Sequence, residues 1–330
     1  MNVDAQRAPI TTADVPFNDP ADSVDLVIRT ADNVDFFVLS VLLSLHSPSS
    51  FFRHALQNGQ HTEERNGFPV LEVKEDSDTF RNILLICYPT HVAPKFVSAG
   101  QIQKVGVALD KYCMDRAMER FVQAVLASSM ISEQPFRVFA LAVANGWKEL
   151  GEAAARNTLA MPLNQAISDV EELKMITGRH LYRLQDYHTR CGKVAQTPTG
   201  IGNLNHWLTR NTRRKTFILQ FLHSPGGHCR WCGVWMNAVG MAEGKNFYAH
   251  SWLIDTYFRL VNAKVLLEPR PQVALYEHII DESVVASNDQ CRNEEWTKIA
   301  GSQIRLLGKI VAEEINSRIS EVPLDIGWEK

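Results

Sequence analysis

A chain of 330 residues, 45% of them hydrophobic and 22% charged, is long enough for two or three domains and too apolar for chain-wide disorder. Its formal net charge of −3 supplies no general attraction to nucleic acid or an anionic membrane, and its most apolar run, the ten residues Phe36–Leu45, is about half of what a membrane span needs. Six unevenly spaced cysteines do not make a disulfide framework, so a reducing compartment, cytoplasm or nucleus, is expected.

Residues 1–18 are polar and proline-bearing, without the basic-then-apolar pattern of a leader, and read as a flexible arm. The stretch VDLVIRT (Val24–Thr30) alternates apolar and polar residues as a half-buried strand does. Asp32 and Asn33 supply a turn before a second strand beginning at Val34. Ser47 and Pro48 can cap and open a helix. Pro69–Lys74 is a third short strand. A helix then opens at a Ser77 cap, carries Phe80, Ile83, Leu84 and Cys87 on one face, and stops at Pro89. Two more helices follow, one with Ile102, Val105, Leu109 and Tyr112, the next with Met118, Phe121, Val122, Val125 and Leu126.

From Gln134 onward strand patterns almost vanish. Pro135 and Gly146 bracket a helix, because proline suits the first helical position and glycine the residue past the end. Helices are also expected over 147–159, 167–176 and 178–191. The Gly, Thr and Pro of residues 192–202 form a candidate boundary loop. A last helix keeps Ile304, Leu307, Val311 and Ile315 on one stripe.

Four stretches carry a family resemblance: VDLVIRT, with Asp25 at a characteristic acidic position; LLSLHSPSSFF, with Leu43, Ser47 and Pro48; EDSDTFRNILLICYP; and ALDKYCMDRAMERFVQAVL. Together they resemble the BTB/POZ domain over residues 19–128. CYP at 87–89, YHTRCG at 187–192 and the closing EEINSRISEVPLDI are similar to fungal BTB proteins with a long helical C-terminal region. The resemblance implies an α+β fold: a small sheet with helices at the N-terminus, followed by mainly α-helical regions. The chain divides accordingly into an arm (1–18), the BTB/POZ domain (19–128), a helical extension (129–192) and a C-terminal helical region (193–330).

The resemblance implies a non-enzymatic protein–protein interaction module that self-associates as a homodimer and binds further, unidentified proteins. Two alternatives stand beside it. One is a substrate adaptor of a cullin-3 ubiquitin ligase; the other is a metal- or thiol-dependent enzyme in the C-terminal region. Adaptors of the first kind often carry a hydrophobic-x-Glu motif between the second helix and the third strand. Here Glu63 and Glu64 are preceded, two positions back, by the polar His61 and Thr62. The chain also has Leu39-Ser40 where the family usually has His-Lys.

The expected self-association face comes from the residues themselves. Phe36–Phe52 contains no Asp, Glu, Lys or Arg, although a surface helix normally shows a charged side. With Leu42 and Leu43 toward the core, Val41 and Leu45 lie together, at i and i+4, on another face. Either the rest of the chain covers them or a second copy does, and in the family the first helix sits at the dimer interface. Asp25, Val41 and Leu45 are the candidate interface residues.

Candidate chemistry is sparse. GMAEGKN (240–246) falls one residue short of a phosphate-binding loop and has Asn where Ser or Thr should bind the magnesium. No G-x-S-x-G or H-E-x-x-H occurs, and no catalytic residue is assigned. TRNTRRK (209–215) is a basic cluster, either a solvated helix face or a localisation or acidic-partner signal. GGHCRWCG (226–233) holds a C-x2-C pair. A thioredoxin-like redox pair needs a βαβ context that this region lacks. Two readings remain, a pair of packed reduced thiols or half of a structural zinc site. In the second, His188, Cys191, Cys229 and Cys232 form the ligand set, with His228 or Cys291 as substitutes.

Overall fold

The computed structural model describes residues 9–21, 23–46, 52, 63–88, 94–162, 169–197, 229, 237–242 and 245–328, with backbone only for 237–249. The described chain forms two compact units. The first comprises Met1–Asn157, Val170–Ile176 and Trp328–Lys330; the second comprises Thr158–Asp169 and Thr177–Gly327.

The first unit is built on a five-stranded sheet. Its strands are β1 (Thr11–Thr12), β2 (Leu26–Arg29), β3 (Val34–Val38), β4 (Glu64–Arg65) and β5 (Phe68–Glu72), in the order β1-β3-β2-β5-β4. Strand β2 pairs antiparallel with β3 and parallel with β5. Its central place explains a difference from the sequence reading. All four residues of β2 are buried, so the strand is covered on both faces rather than one. Arg29 is tolerated there because its guanidinium holds the carboxylate of Asp35 at 2.8 and 3.1 Å, and Asp35 is itself fully buried. Arg65 reaches the same carboxylate at 2.5 Å.

Residues 9–18 are not the free arm that their composition suggested. Thr11 and Thr12 pair in parallel with Val34 and Asp35, and Phe17 is buried against Phe36 and Tyr88. Arg81 also donates to the Asp14 and Val15 carbonyls, at 3.2 and 2.6 Å, so strand pairing, an aromatic anchor and a guanidinium together seat the segment. A hairpin that strand periodicity missed joins β4 to β5. Asn66 and Gly67 both have positive φ, 53° and 81°, as the two central residues of a type I′ turn require.

Helix α1 (Ser40–His46) follows β3, and the expected helix start at Ser47–Pro48 lies outside the described residues. Helix α2 (Ser77–Cys87) buries Phe80, Ile83, Leu84 and Cys87 as their spacing predicts. Its cap is Asp76, one residue earlier than expected, whose carboxylate accepts from the Thr79 amide at 2.9 Å. Ser77 instead donates to Asp32, from its amide at 2.9 Å and its hydroxyl at 2.6 Å. Helices α3 (Ala99–Lys111) and α4 (Asp115–Leu126) follow, then α5 (Met130–Glu133), α6 (Pro135–Asn145) and α7 (Lys148–Thr158). Helix α6 opens on Pro135 and closes on a left-handed Gly146, as the sequence indicates. The Trp147 ring lies against Phe121 at 5.4 Å and donates to Asp110 at 3.1 Å. The unit therefore continues beyond residue 128 without a break in packing.

The second unit is mainly helical: α8 (Gly178–Ala195), a π-helical turn (Leu253–Phe258) running into α9 (Arg259–Val265), α10 (Glu277–Gln290) and α11 (Glu294–Ser320). Where almost no strand was expected, β6 (Asn237–Ala242) and β7 (Lys245–Ala249) form an antiparallel hairpin. Of GMAEGKN, the stretch that falls short of a phosphate-binding loop, Gly240–Ala242 lie in β6 and Lys245 and Asn246 in β7. Helix α11 buries Ile304, Leu307, Val311 and Ile315, the expected stripe, and Trp296 besides. Among the described residues no helix is long and apolar enough to cross a membrane.

Candidate functional site

Helix α1 is short, so its position depends on anchors supplied from outside it. Its first turn is held by Asp25, whose two carboxylate oxygens accept from the Ser40 amide at 2.6 Å and the Ser40 hydroxyl at 2.7 Å. The preceding Leu39 amide donates to the Tyr88 hydroxyl at 2.8 Å. At the other end His46 bonds through Nε2 to the Cys87 carbonyl at 3.0 Å. Burial holds the His46 imidazole below its ordinary pKa, and Arg120 and Arg116 push the same way against the Cys87 bond. A neutral ring there donates to the carbonyl without placing a charge inside. Leu43 is fully buried beneath the helix.

The outer side of α1 carries two exposed apolar side chains. Val41 is 47% exposed and Leu45 is 53% exposed. No residue of the helix is acidic, lysine or arginine. Of the three expected interface residues, the structure thus places Val41 and Leu45 on one open patch. Asp25 is exposed as well, but its carboxylate is committed to holding the helix. That role is not visible in the sequence, because Asp25 and Ser40 are fifteen residues apart. A further surface feature of this unit is an open groove of about 770 Å³ between α2 and α4, lined by Leu85, Ile86, Tyr88, Arg120 and Ala124.

Glu63, from the stretch compared with the hydrophobic-x-Glu motif, is held by Arg29 at 2.6 Å. The basic cluster at 209–215 lies outside the described residues.

Among the described residues, the expected zinc ligands His188, Cys191 and Cys229 do not lie together as one three-membered metal-binding group. His188 and Cys191 are both buried on α8, and His188 Nε2 bonds to the Met161 carbonyl at 3.1 Å. Burial holds its imidazole below the ordinary value. The Cys229 sulfur lies 3.8 Å from that of Cys291, and Cys232 lies outside the described residues. Among the described residues the three-membered group with metal-ligand geometry is Cys229, His250 and Cys291, whose ligand atoms lie within 4.8 Å of one another. Cys291 is one of the substitute ligands that the sequence suggests, and His250 is not among them. No spacing rule could have found it, since His250 is 21 positions from Cys229 and 41 from Cys291 in the chain.

Residues 16–129 match the family model of the BTB/POZ domain. The match covers the whole sheet except β1, together with α1 to α4 and the patch around Val41 and Leu45. No curated protein matches the chain.

Proposed function

We propose that this chain, whose residues 16–129 are a BTB/POZ domain, is a protein-interaction module that pairs with a second copy through the outer face of α1. BTB/POZ domains mediate protein–protein interactions, and homo-oligomers are common among them. The observation that carries the reading is the uncharged face itself, with Val41 and Leu45 each about half exposed on a helix pinned at both ends. Fully burying a side chain of this size is worth about 1.5–3 kcal/mol, so completing the burial of each gives roughly half of that. A two-fold contact counts every residue twice, which makes about 3–6 kcal/mol from these four side chains before the cost of association. The patch is therefore the centre of a contact that needs neighbouring area to be stable. The cullin-adaptor reading has less support, because His61 and Thr62, two positions before Glu63 and Glu64, are polar where the motif has an apolar anchor.

The test is co-precipitation of two differently tagged copies of the full chain. Leu45→Asp introduces two like charges into a desolvated contact, a cost on the order of 3–5 kcal/mol. Recovery of the second copy should fall by more than about 100-fold, since 1.4 kcal/mol is a factor of ten. Equal recovery with the wild type and the folded variant would refute the face.

A further inference from the structure

We propose that Cys229, His250 and Cys291 bind a structural zinc ion that ties together three parts of the second unit. Cys229 and Cys291 are buried, 6% and 1% exposed. Their sulfurs stand 3.8 Å apart, far beyond the roughly 2.05 Å of a disulfide. Two thiolates at about 2.3 Å from a tetrahedral zinc are separated by about 3.8 Å, the edge of that tetrahedron. The imidazole supplies the third corner. Its Nε2 is buried and has no hydrogen-bond partner among the described residues. A buried nitrogen without a partner costs free energy that a metal bond removes.

Charge and position agree with this. Two thiolates balance Zn2+, so a neutral imidazole completes a buried group with no net charge. Cys291 is the C-terminal cap of α10, and its amide donates to the Ser287 carbonyl at 2.9 Å. His250 is the residue just past β7. The two segments are clamped beside the site: Gln290 accepts from the Trp252 amide at 3.2 Å and donates to the Ser251 hydroxyl at 2.7 Å. Neighbours of both ligands are thus fixed to each other, which preorganises the ligands for one ion.

The experiment measures zinc by mass spectrometry in the full chain, purified without a histidine tag or chelator. About one zinc per chain is expected. Cys291→Ser and His250→Ala should lose most of it, whereas His250→Cys and Cys191→Ser should retain it. Cobalt(II) exchanged into the wild type should show the absorption of a tetrahedral thiolate complex, reduced in Cys291→Ser. Should the loss variants fail to fold, the wild type alone decides the matter: Cys229 and Cys291 should resist alkylation until the zinc is stripped, then react. A folded wild type without zinc, or zinc lost from Cys191→Ser but kept in Cys291→Ser, would overturn the assignment.

Discussion

Replacing Asp25 by alanine should loosen α1 without touching the patch that α1 presents. The carboxylate spans two hydrogen bonds to Ser40, at 2.6 and 2.7 Å, and no residue inside the helix provides a substitute. Loss of a helix cap costs about 0.5–2 kcal/mol, and bonds to a charged group lie at the upper part of that range when buried. Asp25 is exposed, so water recovers part of the loss and about 1 kcal/mol is the working figure. Hydrogen exchange of the amides at the end of α1, read on a peptide covering residues 40–46, should therefore accelerate by about fivefold, the factor that one kcal/mol represents. Asp25→Asn keeps an acceptor for the Ser40 amide and should show a smaller change. Exchange in α2 should stay constant, which separates loss of the anchor from loss of the fold. Pairing of two copies should weaken in parallel with the exchange. Unchanged exchange in Asp25→Ala would show that Leu43 and the other anchors hold α1 alone, and the capping role would be wrong.

Two glycines on α11 should respond in opposite directions to alanine. At Gly308 a Cβ would stand 2.6 Å from the Ala274 carbonyl oxygen and 2.9 Å from Leu275, so overpacking of about 1–3 kcal/mol outweighs a helix-propensity gain of about 1 kcal/mol and the thermal midpoint should drop. At Gly301 the nearest atom is the end of the Arg305 side chain at 3.4 Å, and Gly301→Ala should raise the midpoint by the propensity term. In the first unit, burial tends to raise the pKa of Asp76, but bonds from Lys104 and Thr79 outweigh it and hold the group at about 2, against an ordinary 3.8. A depressed carboxylate contributes stability that is complete above the ordinary value and lost as pH falls through the folded one. Denaturation midpoints should thus decline between pH 4 and pH 2, and Asp76→Asn should flatten that decline.

Much of the first unit was legible because its signals are local. The i, i+3, i+4, i+7 spacing of Phe80, Ile83, Leu84 and Cys87 marks α2, and Pro135 with Gly146 brackets α6. The apolar pair Val41 and Leu45 was visible because a run without charges conflicts with an exposed helix face. What stayed hidden depends on distant partners. Thr11 and Thr12 have no strand periodicity of their own and are ordered by β3 and by the burial of Phe17. The turn at Asn66–Gly67 carries its own signal, an Asn-Gly dipeptide, but β4 before it is only two residues long and shows no strand alternation. Arg29 made β2 look half-buried, because nothing in its own strand reveals the buried Asp35 that neutralises it. The thiol cluster was half legible: C-x2-C drew attention to Cys229, but its neighbours come from the segment after β7 and the end of α10, which only the fold brings together.

Self-association is the central claim, and the mass of the unmodified chain in solution tests it most directly. Sedimentation equilibrium of the full chain should give a species of twice the 37.2 kDa chain mass at micromolar concentration, dissociating on dilution. A mass of one chain throughout the micromolar range, for protein that is folded, would contradict the account.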